Sequence, residues 1–105
     1  MLISTTDQIP EKEIKTTLCL VKGTIVQSKH VGKDIMAGLK TIVGGEIKGY
    51  TEMIIEARET ATERMIEEAK KLGADAIVGV RYGTSAETTQ GAVEMLAYGT
   101  AVKLK

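Results

Sequence analysis

The sequence has no Phe, no Trp and no Asn, and a single residue each of Cys, His and Pro. Each shortage removes an option. A chain of 105 residues forms one domain and buries about 60–68% of the surface exposed by its unfolded form. Without Phe or Trp, that core falls to Ile, Val, Leu, Met and Ala, and Tyr50, Tyr82 and Tyr98 are the only aromatic rings. A thin aliphatic core gains from burying further surface between subunits, so a homo-oligomer is expected. The lone Cys19 excludes an intrachain disulfide framework. With one Cys, one His and no CxxC or HxxxH spacing, a single subunit cannot supply the four nitrogen or sulfur ligands of a structural zinc site.

Charge of one sign is also missing. Fourteen basic residues balance fourteen acidic ones, and stacking rings are scarce, which argues against a nucleic-acid partner. The opening MLISTTDQIP has neither the basic region nor the apolar run of a signal peptide. The longest apolar runs are too short to span a bilayer. The expectation is a soluble cytoplasmic protein with no membrane partner. Glu and Lys outnumber Asp and Arg, which fits a heat-adapted composition.

What is present reads as an α+β domain over residues 1–105. Leu2–Thr5 suits a short edge strand, and 8–15 a loop around the only proline. Thr16–Gln27 is β-rich, with Leu18, Leu20 and Val26 on one face and Cys19, Val21 and Ile25 on the other. Apolar residues on both faces predict a strand covered on both sides. Gly23 marks a bulge or a close backbone approach. Asp34 is a helix N-cap candidate, followed by Ile35, Leu39, Ile42 and Val43 at helical spacing and then by Gly44 and Gly45 as a stop.

The strongest helical pattern runs from Tyr50 to Leu72, where Tyr50, Met53, Ile54, Ala57, Ala61, Met65, Ala69 and Leu72 form one stripe. Acids crowd its early turns, Lys70 and Lys71 close it as the helix dipole favours, and Gly73 supplies the stop. The period then alternates: Ala76, Val78, Val80 and Tyr82 share a face of one strand, TSAETTQ is a polar connection, and Gly91–Lys105 is a final strand, paired antiparallel as a hairpin. The predicted order is strand, strand, helix, helix, strand, strand, an antiparallel sheet with helices packed on one face.

The stretch GGEIKGYT comes within one residue of a phosphate loop of pattern G-x-x-x-x-G-K-[ST]: Gly44, Gly49 and Thr51 are in register, but Tyr50 replaces the lysine. A phosphate loop also follows a buried strand, and here a helical pattern precedes it. The simpler reading is the entrance to a helix, capped by Thr51 or the loop backbone. A small-anion loop of Gly44, Gly45, Lys48, Gly49 and Thr51 is the functional alternative, because helix N-termini attract anions. Arg58 or Arg81 would then be further candidates at that site.

Other chemistry is thinner. Ser4, Ser28 and Ser85 lack a nucleophile-elbow context, no carboxylate pair is brought together by spacing, and no enzyme and no resident cofactor is expected. His30 reads as a loop residue and Cys19 as a small strand residue. They become metal-ligand candidates only where a symmetric ring repeats them. At 100° per residue Arg64 and Glu68 point into the apolar stripe, four apart and able to pair. Ile55 and Ile66 form a second apolar edge. These four are the candidate interface with a neighbouring subunit; the alternative is that Arg64 and Glu68 reach out to solvent.

The stretches VGGEIKGYTEMIIEARETA, ERMIEEAKKLGADAIVGVRYGTS and GAVEMLAYGTAV resemble the YbjQ-like family, which carries a heavy-metal-binding label. The likeness is sharpest at Gly44–Gly45, Tyr50, Arg58, Ala69, at Gly73 to Ala76 and at Gly99 to Val102, with Asp34, Ala37, Gly38 and Ile42 also fitting. The resemblance implies an α+β fold and assembly of identical copies into a ring, a pentamer first. It implies no biochemical role and carries no ligand motif that maps onto this chain. The expected function is binding or scaffolding at the boundaries between copies.

Overall fold

The computed structural model describes residues 1–28, 42–43, 46–87 and 92–105. Its elements are β1 (Leu2–Ile3), β2 (Ile14–Ser28), β3 (Ile42–Val43), β4 (Glu46–Ile47), α1 (Lys48–Lys71), β5 (Ala76–Glu87) and β6 (Ala92–Leu104). Four strands form one sheet in the order β1-β5-β6-β2, and β3 and β4 pair separately. The pairs β5/β6 and β6/β2 are antiparallel, as the hairpin pattern predicts. The edge strand β1 runs parallel to β5, so the sheet is mixed rather than antiparallel throughout.

The expected helix beginning at Asp34 is the main departure. Residues 34–41, with Gly44 and Gly45, lie outside the described residues. Its predicted last turn is a strand: Ile42 pairs with Ile47 and Val43 with Glu46. Both are β-branched, and such side chains lose less freedom in a strand than in a helix.

The helix α1 starts at Lys48, two residues before the predicted start, so its first turn holds no acidic residue. No proline interrupts it, and Ala, Glu, Met and Lys give it strong intrinsic propensity. Met53, Ala57, Ala61, Met65 and Ala69 are all buried, a row at spacing four that lies against the sheet. Gly73 ends the helix with φ of 77°. The N–H of Ala74 donates to Ala69 O at 3.1 Å and that of Gly73 to Lys70 O at 3.0 Å. Those two bonds define a Schellman cap, and the left-handed residue it needs is the glycine.

One face of the sheet meets α1. Val21 of β2, Ile77 and Val80 of β5, and Val93, Met95, Ala97 and Ala101 of β6 form the core with the helix. The small residues let the layers approach closely. A Cβ on Gly23 would lie 2.5 Å from Met65 N and nearer still to Ala61 O, so β2 crosses the helix backbone at the one place without a side chain.

The other face is only partly covered. Ala76, Val78 and Val102 are buried there beneath Ile9, Ile14 and Leu104. Farther along β2, Leu20 is 56% exposed and Val26 68%, which corrects the expectation of a strand covered on both sides. Irregularities fall between Ile14 and Thr16 and between Thr17 and Cys19, and they separate Leu18 from the face it was expected to share with Leu20 and Val26. They shift the alternation, so Leu18 packs with Val21 and Ile25 against the helix-side core.

A second shift corrects the face predicted for β5. Val78 opposes Thr100 and Arg81 opposes Tyr98, leaving Gly79 and Val80 against Gly99 alone. Gly79 has φ of 62°, the glycine-led bulge that inserts one residue and re-aims those after it. Ala76 and Val78 therefore pack on the helix-free face, and Val80 joins the helix-side core. Beyond the bulge β5 continues through Thr84 to Glu87 as strand, so that stretch belongs to the sheet and not to a polar connection.

Candidate functional site

The predicted site residues scatter. Cys19 is exposed on β2, and His30 lies outside the described residues. Among the described residues no group of three or more His, Cys, Asp or Glu side chains converges on a point that could hold a metal. The described residues of one copy therefore do not offer a fitting donor set. Gly44 and Gly45 of the anion-loop candidate are likewise outside the described residues. Lys48 and Gly49 are the first residues of α1 and Thr51 lies one turn in, past the position of a cap.

The interface candidates divide. Ile55 is 38% exposed, whereas Ile66 packs against the core. Spacing allows Arg64 to pair with Glu68, but the Arg64 guanidinium donates to Thr24 O of β2 at 2.7 Å. It thus ties the helix to the edge strand beside Gly23. Arg81 donates to Thr5 O at 2.8 Å and to Val80 O at 2.9 Å. Its charge pins the chain's first turn to β5.

Two surfaces remain as functional candidates. The first is an open groove of about 400 Å³ between α1 and β5, lined by Arg58, Glu59, Thr62, Glu63 and Tyr82. The Thr62 hydroxyl donates to Arg58 O at 2.7 Å and lies 2.8 Å from the Tyr82 hydroxyl. This contact stitches the helix to the sheet. With two glutamates beside one arginine, the groove does not favour an anion. The sequence gives no sign of the groove, because its walls come from residues twenty apart on different elements.

The second surface is the helix-free face of the sheet. Leu20, Lys22, Thr24 and Val26 of β2 lie across from Thr100, Tyr98, Leu96 and Glu94 of β6, and Arg81 of β5 lies across from Tyr98. The face intersperses Leu20, Val26, Leu96 and Tyr98 with the charged Lys22, Glu94 and Arg81. Nothing in the alternation of β2 distinguished an open face from a covered one. The apolar residues looked the same either way.

Comparison with known proteins fixes the relationship. A family model described as "Putative heavy-metal-binding" matches residues 1–105. The chain belongs to this YbjQ-like family. A UPF0145 protein of Thermotoga petrophila is 60% identical over 105 residues, covering 100% of this chain and 98% of the relative. One of Thermosipho melanesiensis is 64% identical over 104 residues, covering 99% and 95%. One of Vibrio parahaemolyticus is 60% identical over 104 residues, covering 99% and 98%. Those names assign no activity. A crystal structure of a protein of unknown function from Pediococcus pentosaceus, of the DUF74 family, superposes with a TM-score of 0.63. It is 21% identical and covers 100% of this chain and 98% of that one, which makes it a likeness of fold.

Proposed function

We propose that the protein works as a closed ring of identical copies, a pentamer first, with a binding or scaffolding role where copies meet. The observation that carries this reading is the half-covered sheet. A monomer of 11.3 kDa is expected to expose about 5,700 Å², whereas this subunit exposes 6,860 Å². Its radius of gyration is 16.9 Å, against about 13 Å for a compact domain of this length. A slab of 52 × 26 × 17 Å with apolar residues on an open face is the shape of a part and not of a finished globule. Among the described residues no helix is long and apolar enough to cross a membrane, and the composition supports a cytoplasmic setting.

Light scattering coupled to size exclusion tests the reading directly. A mass several times that of one chain, unchanged on dilution through the micromolar range, is the expected result. A folded single chain at those concentrations overturns it.

The family description favours one second reading, metal binding. No donor group converges among the described residues of one copy, which favours ligands drawn from several copies, with Cys19 and His30 as the soft and borderline donors. Elemental analysis of untagged protein tests it. Stoichiometric metal that disappears in Cys19→Ala or His30→Ala supports it, and metal-free protein after loading with zinc or copper rejects it.

A further inference from the structure

The groove between α1 and β5 encloses about 400 Å³ beside Arg58, Glu59, Thr62, Glu63 and Tyr82. Its hydroxyl protons can be traced. Thr62 gives its single proton to Arg58 O. In the 2.8 Å contact between the two hydroxyls, Tyr82 is therefore the donor and Thr62 the acceptor. The Tyr82 oxygen keeps lone pairs but has no further proton to offer. The two carboxylates accept as well. The Tyr82 ring is 43% exposed, and an aromatic face attracts cations. Arg58 is the one lining side chain that donates outward. Among the described residues the one ion pair joins Lys105 to Glu13, so Arg58, Glu59 and Glu63 form no salt bridge with another described residue.

The spacing of these groups selects a ligand. Residues four apart share a helix face, so Arg58 with Thr62 and Glu59 with Glu63 make two adjacent rows along the groove. The helix rises about 7.5 Å from Arg58 to Glu63. An extended lysine holds its side-chain nitrogen about 7 Å from its carboxylate carbon. Two glutamates and one arginine leave a surplus of negative charge, and a free basic amino acid carries the matching positive surplus. A diamine leaves Arg58 unmatched, and a neutral amino acid leaves Glu63 unmatched.

We propose that this groove binds a free basic amino acid of the lysine type. The α-carboxylate meets Arg58, the α-ammonium meets Glu59, and the side-chain cation reaches Glu63 beside the Tyr82 ring. All of the groups belong to one copy, so the proposal is tested apart from assembly.

An amide-resolved NMR titration of the full chain tests it with three probes. L-Lysine carries all three groups, cadaverine lacks the carboxylate, and L-norleucine lacks the side-chain cation. L-Lysine is expected to give saturable shifts in the millimolar range at residues 58–63 and at Tyr82. Each of the other two should bind up to about fivefold more weakly, the worth of one exposed ion pair. Arg58→Met should remove the advantage of lysine over cadaverine without weakening cadaverine. Glu63→Gln should remove the advantage of lysine over norleucine. Arg58 and Glu63 are exposed, so both variants should fold, and Arg58→Gln replaces the methionine variant if it does not. Three results would each overturn the proposal: no saturable shift with L-lysine, equal binding of all three probes by the wild type, or preferences that survive both substitutions.

Discussion

Gly23 of β2 and Met65 of α1 meet backbone to backbone: a Cβ placed on the glycine would stand 2.5 Å from the methionine nitrogen. Arg64 hydrogen-bonds Thr24 O at the same crossing, so strand and helix are fixed against each other there. Gly23→Ala must push the helix off the sheet or bend β2. Overpacking of this kind costs about 1–3 kcal/mol, and the obstacle here is backbone on two sides, which places the expected loss at the upper end. Urea titration at matched protein concentration measures it, matched because assembly makes stability concentration-dependent. An alanine variant as stable as the wild type would show that the crossing is looser than its geometry.

Gly73 takes the left-handed conformation that closes α1, and open space around it leaves only the backbone penalty. A Cβ there meets nothing nearer than the Lys103 side chain at 3.7 Å. Gly73→Ala should therefore cost about 1 kcal/mol, a fall in melting temperature of roughly 4–8 °C for a domain of this size. Gly73→Asn should lose less, because Asn visits that region more readily. Equal losses in the two variants would point away from backbone conformation as the cause.

Features that local chemistry dictates were legible in the sequence, and features that bulges dictate were not. The stripe from Met53 to Ala69, the stop at Gly73 and the close approach at Gly23 follow from side-chain size and backbone freedom, and all three are in the structure. The faces of β2 and β5 were misread because one inserted residue reverses every later side chain. Nothing in VGVRYG announces that Gly79 rather than Gly83 carries the insertion. The strand at Ile42–Val43 was misread as helix because a short apolar run suits either period. The candidate surfaces are tertiary: Tyr82 reaches Thr62 across twenty residues, a pairing that no local spacing encodes.

Asp75 follows the helix stop and ties the two ends of the hairpin. Its carboxylate accepts the N–H of Leu104 at 2.9 Å, while its own N–H donates to Val102 O at 2.9 Å. The side chain thus extends the ladder on the β5 side of β6, where the strand pairing ends at Ala76 and Val102. Asp75→Ala should cost about 1 kcal/mol, the net worth of such a bond, and Asp75→Asn should recover most of it because an amide oxygen still accepts. Hydrogen exchange at Leu104 is the sharper readout, with faster exchange expected in the alanine variant only. Exchange unchanged in both would show that the last turn of β6 is held by its backbone alone.

Arg81 reaches the helix-free side of β5 because of the bulge at Gly79, and there it holds Thr5 O. Three backbone bonds flank that contact: Ser4 N–H to Ile77 O, Gly79 N–H to Thr6 O and Val80 N–H to Ser4 O, each 2.9 Å. The parallel strand β1 is only two residues long, so these bonds and the guanidinium do most of the docking. Arg81→Met keeps the aliphatic stem and removes the donor, and it should raise exchange at Ser4, Gly79 and Val80 together. The rest of β5 and β6 should keep its protection, since the core beneath them is untouched. Gly79→Ala should act differently: a left-handed alanine costs about 1–2 kcal/mol, so it lowers global stability. If Arg81→Met lowers global stability as much and leaves those three amides no faster than the rest, the arginine acts on the whole sheet and not as a tether for the first strand.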